Sequence, residues 1–189
     1  MALISYADQL RRLALADPER LAVSDEFRSV TRAELDSLAD RTAREFAALG
    51  VIAGDHVTIT LPNSIDFVAA TVACWKLGAV PQPVSFLAPR REVEAIVELA
   101  DSRVVVGPQP DAYPGRACLP RGWEPAASLG EVALPDAVSR PWKAMTSGGS
   151  TGRPKLIRAG DAGEIDPDAN PMLLVRRDGA MMMPGPLYH

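Results

Sequence analysis

Between His56 and Gly107 the chain alternates short apolar runs with segments of helical period, and no other stretch restricts the fold as much. "HVTITL" (56–61) turns Val57, Ile59 and Leu61 to one side. Pro62, Asn63 and Ser64 end that strand and cap a helix running to Leu77, with Gly78 closing it. This helix is apolar on nearly every side, which predicts burial between layers. "AVPQPV" (79–84) is extended. A helix opening near Pro89 carries Val93, Ile96, Val97 and Ala100 inward, and "RVVVG" (103–107) is continuously apolar, as in a parallel strand covered on both faces. Strand, helix, strand, helix, strand implies right-handed crossovers, so the pattern predicts a doubly wound α/β lobe with a mostly parallel sheet.

Ahead of this unit, residues 5–16 read as an amphipathic helix with Leu10, Leu13 and Ala14 on one side. "LAVSD" (21–25) and the residues near Ser29 read as short strands. The clearest helix is 31–50: Thr31 and Glu34 fit a capping box, Leu35, Leu38, Thr42, Phe46 and Leu49 keep helical spacing, and Gly50 stands at the left-handed cap. Beyond the unit, 7 of the 35 residues in 107–141 are proline and 4 are glycine, which predicts a surface connector with few hydrogen bonds. Regular structure returns at "PWKAM" (141–145), a strand, and "KLIRA" (155–159), its return. "MLLVRR" (172–177) fits helix or strand equally, and "AMMMPGPLYH" (180–189) reads as a strand and a turn. The expected organisation is a first α/β lobe over 1–106, a connector over 107–140 and the start of a second lobe over 141–189.

Composition excludes several function classes. The net charge of −4 is mild and mixed in sign, leaving no footprint for nucleic acid or an anionic membrane. The longest apolar run, "FVAATVACW" (67–75), is far short of the about 20 residues that cross a bilayer. Asp8 and two arginines arrive too early for a secretory leader, so the expected compartment is the cytoplasm. Two cysteines, Cys74 and Cys118, are too few for a disulfide framework or a metal site, and Cys74 reads as core. Trp75 and Trp142 read as core also, His56 as the surface start of a strand, and Met181–Met183 as a buried strand or the lining of an irregular apolar ligand site.

The chemistry concentrates in "MTSGGSTGRPKLI" (145–157). Gly148, Gly149 and Gly152 let backbone N–H groups converge into a concave nest that favours an anion. Thr146, Ser147, Ser150 and Thr151 add uncharged donors, Lys155 adds a point charge, and Pro154 stiffens the exit. Such a set suits a polyphosphate. The spacing is neither that of a Gly-x4-Gly-Lys-Ser/Thr loop nor that of Gly-x-Gly-x-x-Gly, so no helix dipole is expected behind the ligand. The competing reading is a glycine-serine hairpin without chemistry.

"TSGGSTGRPK" (146–155) resembles the phosphate loop of the adenylate-forming superfamily, which includes acyl-CoA synthetases, luciferases and the adenylation domains of peptide synthetases. Aligned backwards from Lys155, the family's hydroxyl pair falls on Ser147 and Gly148, so one hydroxyl is missing, with Thr146 one residue earlier. Leu156 stands where the family often has glycine. "SVTRAELDSLADRTAREFAALGV" (29–51) and "HVTITLPNSIDFVAATVACWKLGAVPQPVS" (56–85) are similar to further family segments. "GPLYH" (185–189) looks like the motif whose histidine lies beside the acyl tunnel, and it favours acyl-CoA synthetases of fatty-acid or bile-acid type.

The resemblance implies ATP with Mg2+, coenzyme A as co-substrate and a small-molecule carboxylate. The carboxylate attacks the α-phosphate of ATP, and the thiol of coenzyme A then displaces AMP. Thr146, Ser147, Gly148, Gly149, Ser150, Thr151, Gly152 and Lys155 would grip the β- and γ-phosphates, with Lys155 acting through its charge rather than as a base. His189 would line the acyl site, or else be a disordered end. Family enzymes are more than twice as long, so the adenine, ribose and magnesium residues and the catalytic lysine are expected beyond position 189, and the 189 residues alone are expected to be inactive. The readings held open are a carboxylate–CoA ligase, the adenylation domain of another adenylate-forming enzyme, and a non-catalytic nucleotide-binding or interaction module.

Overall fold

Four strands, β5 (Val80–Pro83), β4 (His56–Ile59), β6 (Val104–Gly107) and β7 (Ala117–Pro120), form a wholly parallel sheet in that order. The computed structural model describes residues 2–126, 133–147, 154–168 and 179–188. In chain order the described elements are β1 (Ile4–Ser5), α1 (Tyr6–Ala16), β2 (Leu21–Ser24), β3 (Ser29–Thr31), α2 (Arg32–Ala48), β4 (His56–Ile59), α3 (Ile65–Lys76), β5 (Val80–Pro83), α4 (Arg90–Ala100), β6 (Val104–Gly107), β7 (Ala117–Pro120), β8 (Ala144–Ser147), β9 (Lys155–Arg158) and β10 (Glu164–Ile165).

Local signals set the helices. In α2, Thr31 Oγ1 accepts from the Glu34 N–H at 3.2 Å and the Glu34 carboxylate accepts from the Thr31 N–H at 2.7 Å, the reciprocal capping box. In α3, Ser64 Oγ accepts from the Phe67 N–H at 3.1 Å, and Gly78 follows the last turn with φ +68°. The two helices share one face of the sheet. Phe46 of α2 and Phe67, Ala73 and Cys74 of α3 pack on Val57 and Ile59 of β4 and on Val104 and Val106 of β6. The opposite face is covered by α4, whose Val93, Ile96 and Val97 pack on Val105 and Val84. Alternation within β4 and β6 supplies both cores at once.

Two buried polar groups thread this frame. Thr58, on the α4 side, donates to Gln82 Oε1 at 2.8 Å and lies 2.7 Å from Ser102 Oγ. At the end of α3, Lys76 is buried and its Nζ lies 2.6 Å from a carboxylate oxygen of both Asp36 and Asp40 on α2. That pairing lets an otherwise apolar helix finish on a lysine inside the fold.

The structure corrects four expectations. Residues 117–120 form β7, a fourth parallel strand, inside the proline-rich 107–141 segment. The strand expected over 141–145 begins at Ala144 and runs on to Ser147. Trp75 and Trp142 are half-buried rather than core: with Tyr6 they form a cluster with ring centroids 5.1 to 6.5 Å apart. Met181–Met183 form no strand and are exposed, Met182 by 87%, because no described element packs over them.

His56 departs from expectation as well. It opens β4 as predicted but is only 5% exposed, and its Nε2 has no hydrogen-bond partner among the described residues. Burial, followed by the charge of Arg158 on β9, holds its pKa below the usual histidine value, against the opposing pull of Asp55, the Ala100 backbone and Asp101. A base with a depressed pKa in the folded state binds fewer protons there than in the unfolded chain. Its contribution to stability is therefore complete above the unfolded value near 6.5 and is lost as pH falls below it. Between pH 7 and 5 this single site contributes a slope of at most about 1.4 kcal/mol per pH unit. Thermal melts across that range should fall with pH, and His56→Gln should flatten the dependence; an unchanged slope in the variant would assign it elsewhere.

Candidate functional site

β8 and β9 pair antiparallel, with Ala144 opposite Arg158, Met145 opposite Ile157, Thr146 opposite Leu156 and Ser147 opposite Lys155. Ser147 and Lys155, which flank the glycine-rich stretch in the sequence, are the last pair of this ladder, a hydroxyl opposite a lysine. Cross-strand partners share a face, so Ser147 and Lys155 point the same way and Thr146 the other. The Lys155 side chain is exposed, while Thr146 and Ser147 are half-buried. Gly148, Gly149, Ser150, Thr151 and Gly152 lie outside the described residues, as does His189. Among the described residues no group of three or more His, Cys, Asp or Glu is arranged to hold a metal ion.

The base of this strand pair is anchored. Trp75 Nε1 of α3 donates to the Trp142 carbonyl at 2.8 Å, and the Lys143 ammonium lies 4.7 Å from the Trp142 ring centroid. The Trp142 N–H donates to the Asp161 carbonyl at 3.2 Å and the Ala159 N–H to the Lys143 carbonyl at 3.0 Å, extending the pairing behind the strands. Ser139 Oγ donates to the Ala79 carbonyl just before β5, so the chain enters β8 from a point fixed to the parallel sheet.

A second part of the site lies at the carboxyl ends of β4 and β5. These strands are neighbours, yet α3 leaves β4 over one face and α4 leaves β5 over the other. The strand order reverses between β4 and β6, and the crevice that usually takes ligands in open α/β sheets is expected beyond the carboxyl ends there. Residues 185–188 dock at the carboxyl ends of β4 and β5. Asn63, just past β4, donates from Nδ2 to the Gly185 carbonyl at 2.9 Å and accepts at Oδ1 from the Leu187 N–H at 2.8 Å. Phe86, just past β5, meets Tyr188 edge to face at 6.5 Å, and Leu187 packs on the core beneath. Leu187 also lines a cavity of about 280 Å³ with Phe67, Val72, Trp75, Pro83 and Trp142. Asn63 and Phe86 went unassigned in the sequence: Asn63 reads there only as a strand terminator, because its partners stand more than 120 residues away.

Known proteins carry the same frame. A family model described as AMP-binding enzyme matches residues 10–159. Malpibaldin synthetase of Mortierella alpina is 34% identical over 147 residues, covering 74% of this chain and 3% of that protein. Long-chain-fatty-acid–CoA ligase FadD13 of Mycobacterium tuberculosis is 31% identical over 167 residues, covering 78% of this chain and 33% of the ligase. The solved O-succinylbenzoate coenzyme A synthetase of Bacillus subtilis, in complex with AMP, superposes with a TM-score of 0.72 at 24% identity, covering 83% of this chain and 42% of that one. The chain thus spans a third or less of the length of these curated relatives. Homologues include both coenzyme A ligases and adenylation domains of nonribosomal peptide synthetases. With the family model spanning most of the first helix, the whole parallel sheet and both strands that flank the glycine-rich stretch, the chain belongs to the AMP-binding enzyme family of adenylate-forming proteins.

Proposed function

We propose that the protein carrying this chain is an ATP-dependent carboxylic acid–coenzyme A ligase, working through an acyl-adenylate. The observation that carries the reading is the hairpin register, which pairs Ser147 with Lys155 at the two exits of the glycine-rich tip. Thr146, Ser147 and Lys155, with Gly148, Gly149, Ser150, Thr151 and Gly152 between them in the sequence, make a donor set suited to the β- and γ-phosphates of ATP, and Mg2+ would accompany those phosphates. ATP supplies the activated phosphoryl group; this chain's own residues grip the departing pyrophosphate and stabilise the charge that builds on it. His189 is assigned to the acyl site beside the docked 185–188 segment. Residues 1–106 are taken as the lobe that presents the crevice, 107–140 as the connector and 141–189 as the start of a second lobe.

The "PLYH" ending supports coenzyme A as the thiol. The peptide synthetase homologues support a second reading, in which a carrier protein's phosphopantetheine takes its place. Both share the first half-reaction. The test uses the complete reading frame with ATP, Mg2+ and a panel of carboxylic acids, following pyrophosphate exchange without any thiol. Exchange that depends on one class of acid is expected, followed by acyl-CoA formation when coenzyme A is added. Acylation of a carrier protein alone would favour the second reading, and the absence of carboxylate-dependent exchange would overturn both.

A further inference from the structure

The contacts around Asn63 point to a role that no motif in the chain announces. Its side chain is exposed and leaves the chain between the end of β4 and the cap of α3, at the carboxyl end of the strand. There the carboxamide acts as a short piece of backbone. One end donates to the Gly185 carbonyl and the other accepts from the Leu187 N–H, so a single side chain satisfies two main-chain groups two residues apart. The segment so held is irregular, without a strand neighbour to fix its register. Its other restraints are the Phe86–Tyr188 ring contact and the seat of Leu187 on the core.

The position of the anchor is as informative as its bonds. Ser64 beside it caps α3, accepting from the Phe67 N–H and donating to the Pro62 carbonyl. Asn63 therefore projects from a link fixed at both ends, by the sheet and by the buried helix. A displacement of 185–188 would carry Leu187 out of the wall it shares with Phe67, Val72 and Trp75, changing the cavity below.

We propose that Asn63 is a positioning residue for carboxylate binding: it holds Gly185–Tyr188 at the carboxyl ends of β4 and β5 and so sets the shape of the acid site without touching the nucleotide. The proposal rests on the ligase reading, which puts the acyl site at this segment. It separates Asn63 from the phosphate hairpin, whose anchors are Trp75, Trp142 and Ser139.

The test uses the full-length protein and the acid that supports pyrophosphate exchange. Asn63→Leu keeps the side chain's size and removes both hydrogen bonds, and the KM for the acid should rise about tenfold or more while the KM for ATP stays within about twofold. Asn63→Asp keeps the acceptor for the Leu187 N–H and loses the donor to Gly185, and should fall between. Phe86→Leu, with the polar clamp intact, should move the acid KM in the same direction. Amide exchange at Leu187 gives a readout independent of turnover: it should be slowed in the unmodified protein and fast in Asn63→Leu. Equal rises in both KM values, or unchanged acid KM and Leu187 exchange in a folded variant, would overturn the role. If Asn63→Leu does not fold, Asn63→Asp and Phe86→Leu decide the matter, and an unmoved acid KM in both is equally fatal. If the unmodified protein activates no acid, the ligase reading fails by itself, and Leu187 exchange still decides whether the clamp exists.

Discussion

Replacing Gly107 by alanine is expected to lower the thermal midpoint by on the order of 10 °C or more. Gly107 ends β6 with φ +119°, a conformation that L side chains rarely adopt. A Cβ built there would lie 2.5 Å from Thr60 Oγ1 and 2.6 Å from the Thr60 carbonyl oxygen. Neither can retreat: the Thr60 N–H donates to the Val106 carbonyl at 2.8 Å, and Thr60 Oγ1 donates to that same oxygen at 3.0 Å. Backbone strain of about 1–3 kcal/mol adds to an overpacking cost of similar size, against a total stability of about 5–15 kcal/mol. Gly50 is the control. Its φ is +88° but a Cβ there meets nothing within 4 Å, so Gly50→Ala should cost only the strain, about 1–2 kcal/mol. Denaturant titration of the two variants measures the difference, and equal losses would show that the Thr60 contact is not what limits position 107.

The contrast between these glycines illustrates what is legible in the chain and what is not. Gly50 follows a helix whose beginning and end are written locally: the Thr31–Glu34 box closes within four residues, and the stripe through Leu35, Thr42 and Phe46 needs no knowledge of the partner. The alternation over 56–107 is equally local, and it predicts the parallel, doubly wound sheet. Features made by distant partners do not show. β7 is four residues ending on a proline, and it becomes a strand only by pairing with β6. His56 reads as a surface residue because the groups that act on it, the Ala100–Asp101 turn and Arg158 of β9, stand about 45 and 100 residues on. The methionine run illustrates the converse error. Apolar composition predicts burial, but burial needs a partner surface, and none of the described elements provides one.

The candidate site divides the same way. Small donors and a lysine around glycines suggest an anion loop by composition, and the pairing of β8 with β9 on either side follows from the two flanking apolar runs. β8 starts at Ala144, and Trp142 just before it joins the aromatic cluster with Trp75 and Tyr6, which the run of residues alone does not reveal. The crevice expected beyond the carboxyl ends of β4 and β6 follows from topology, yet the polar clamp just past β4 does not, since Asn63 is an ordinary turn residue until Gly185 and Leu187 are brought to it. Two segments are thus anchored separately, the β8–β9 pair through Trp75, Trp142 and Ser139 and the 185–188 segment through Asn63 and Phe86.

That separation gives the second large effect its sharpest form. Lys155→Ala in the full-length protein should reduce carboxylate-dependent pyrophosphate exchange by about 10²- to 10³-fold, the scale seen when one preorganised charge-stabilising group is removed. Lys155 is exposed and stands opposite Ser147 at the mouth of the hairpin, so its loss removes a charge without emptying the core. Because that charge matters most when negative charge builds on the leaving pyrophosphate, kcat should fall more than the KM for ATP rises, and the KM for the acid should hardly move. Lys155→Arg should recover part of the rate, since it keeps the charge but offers a planar fork in place of a compact ammonium. Arg158→Ala, three residues along the same strand and equally exposed, is the matched control and should leave the rate within about threefold, because its charge stands about 10 Å from Lys155, on the order of the screening length. Were Lys155→Ala to exchange pyrophosphate as fast as Arg158→Ala, the hairpin would hold no phosphate in the rate-limiting step, and activation of the acid would have to draw its electrostatic help from another part of the protein.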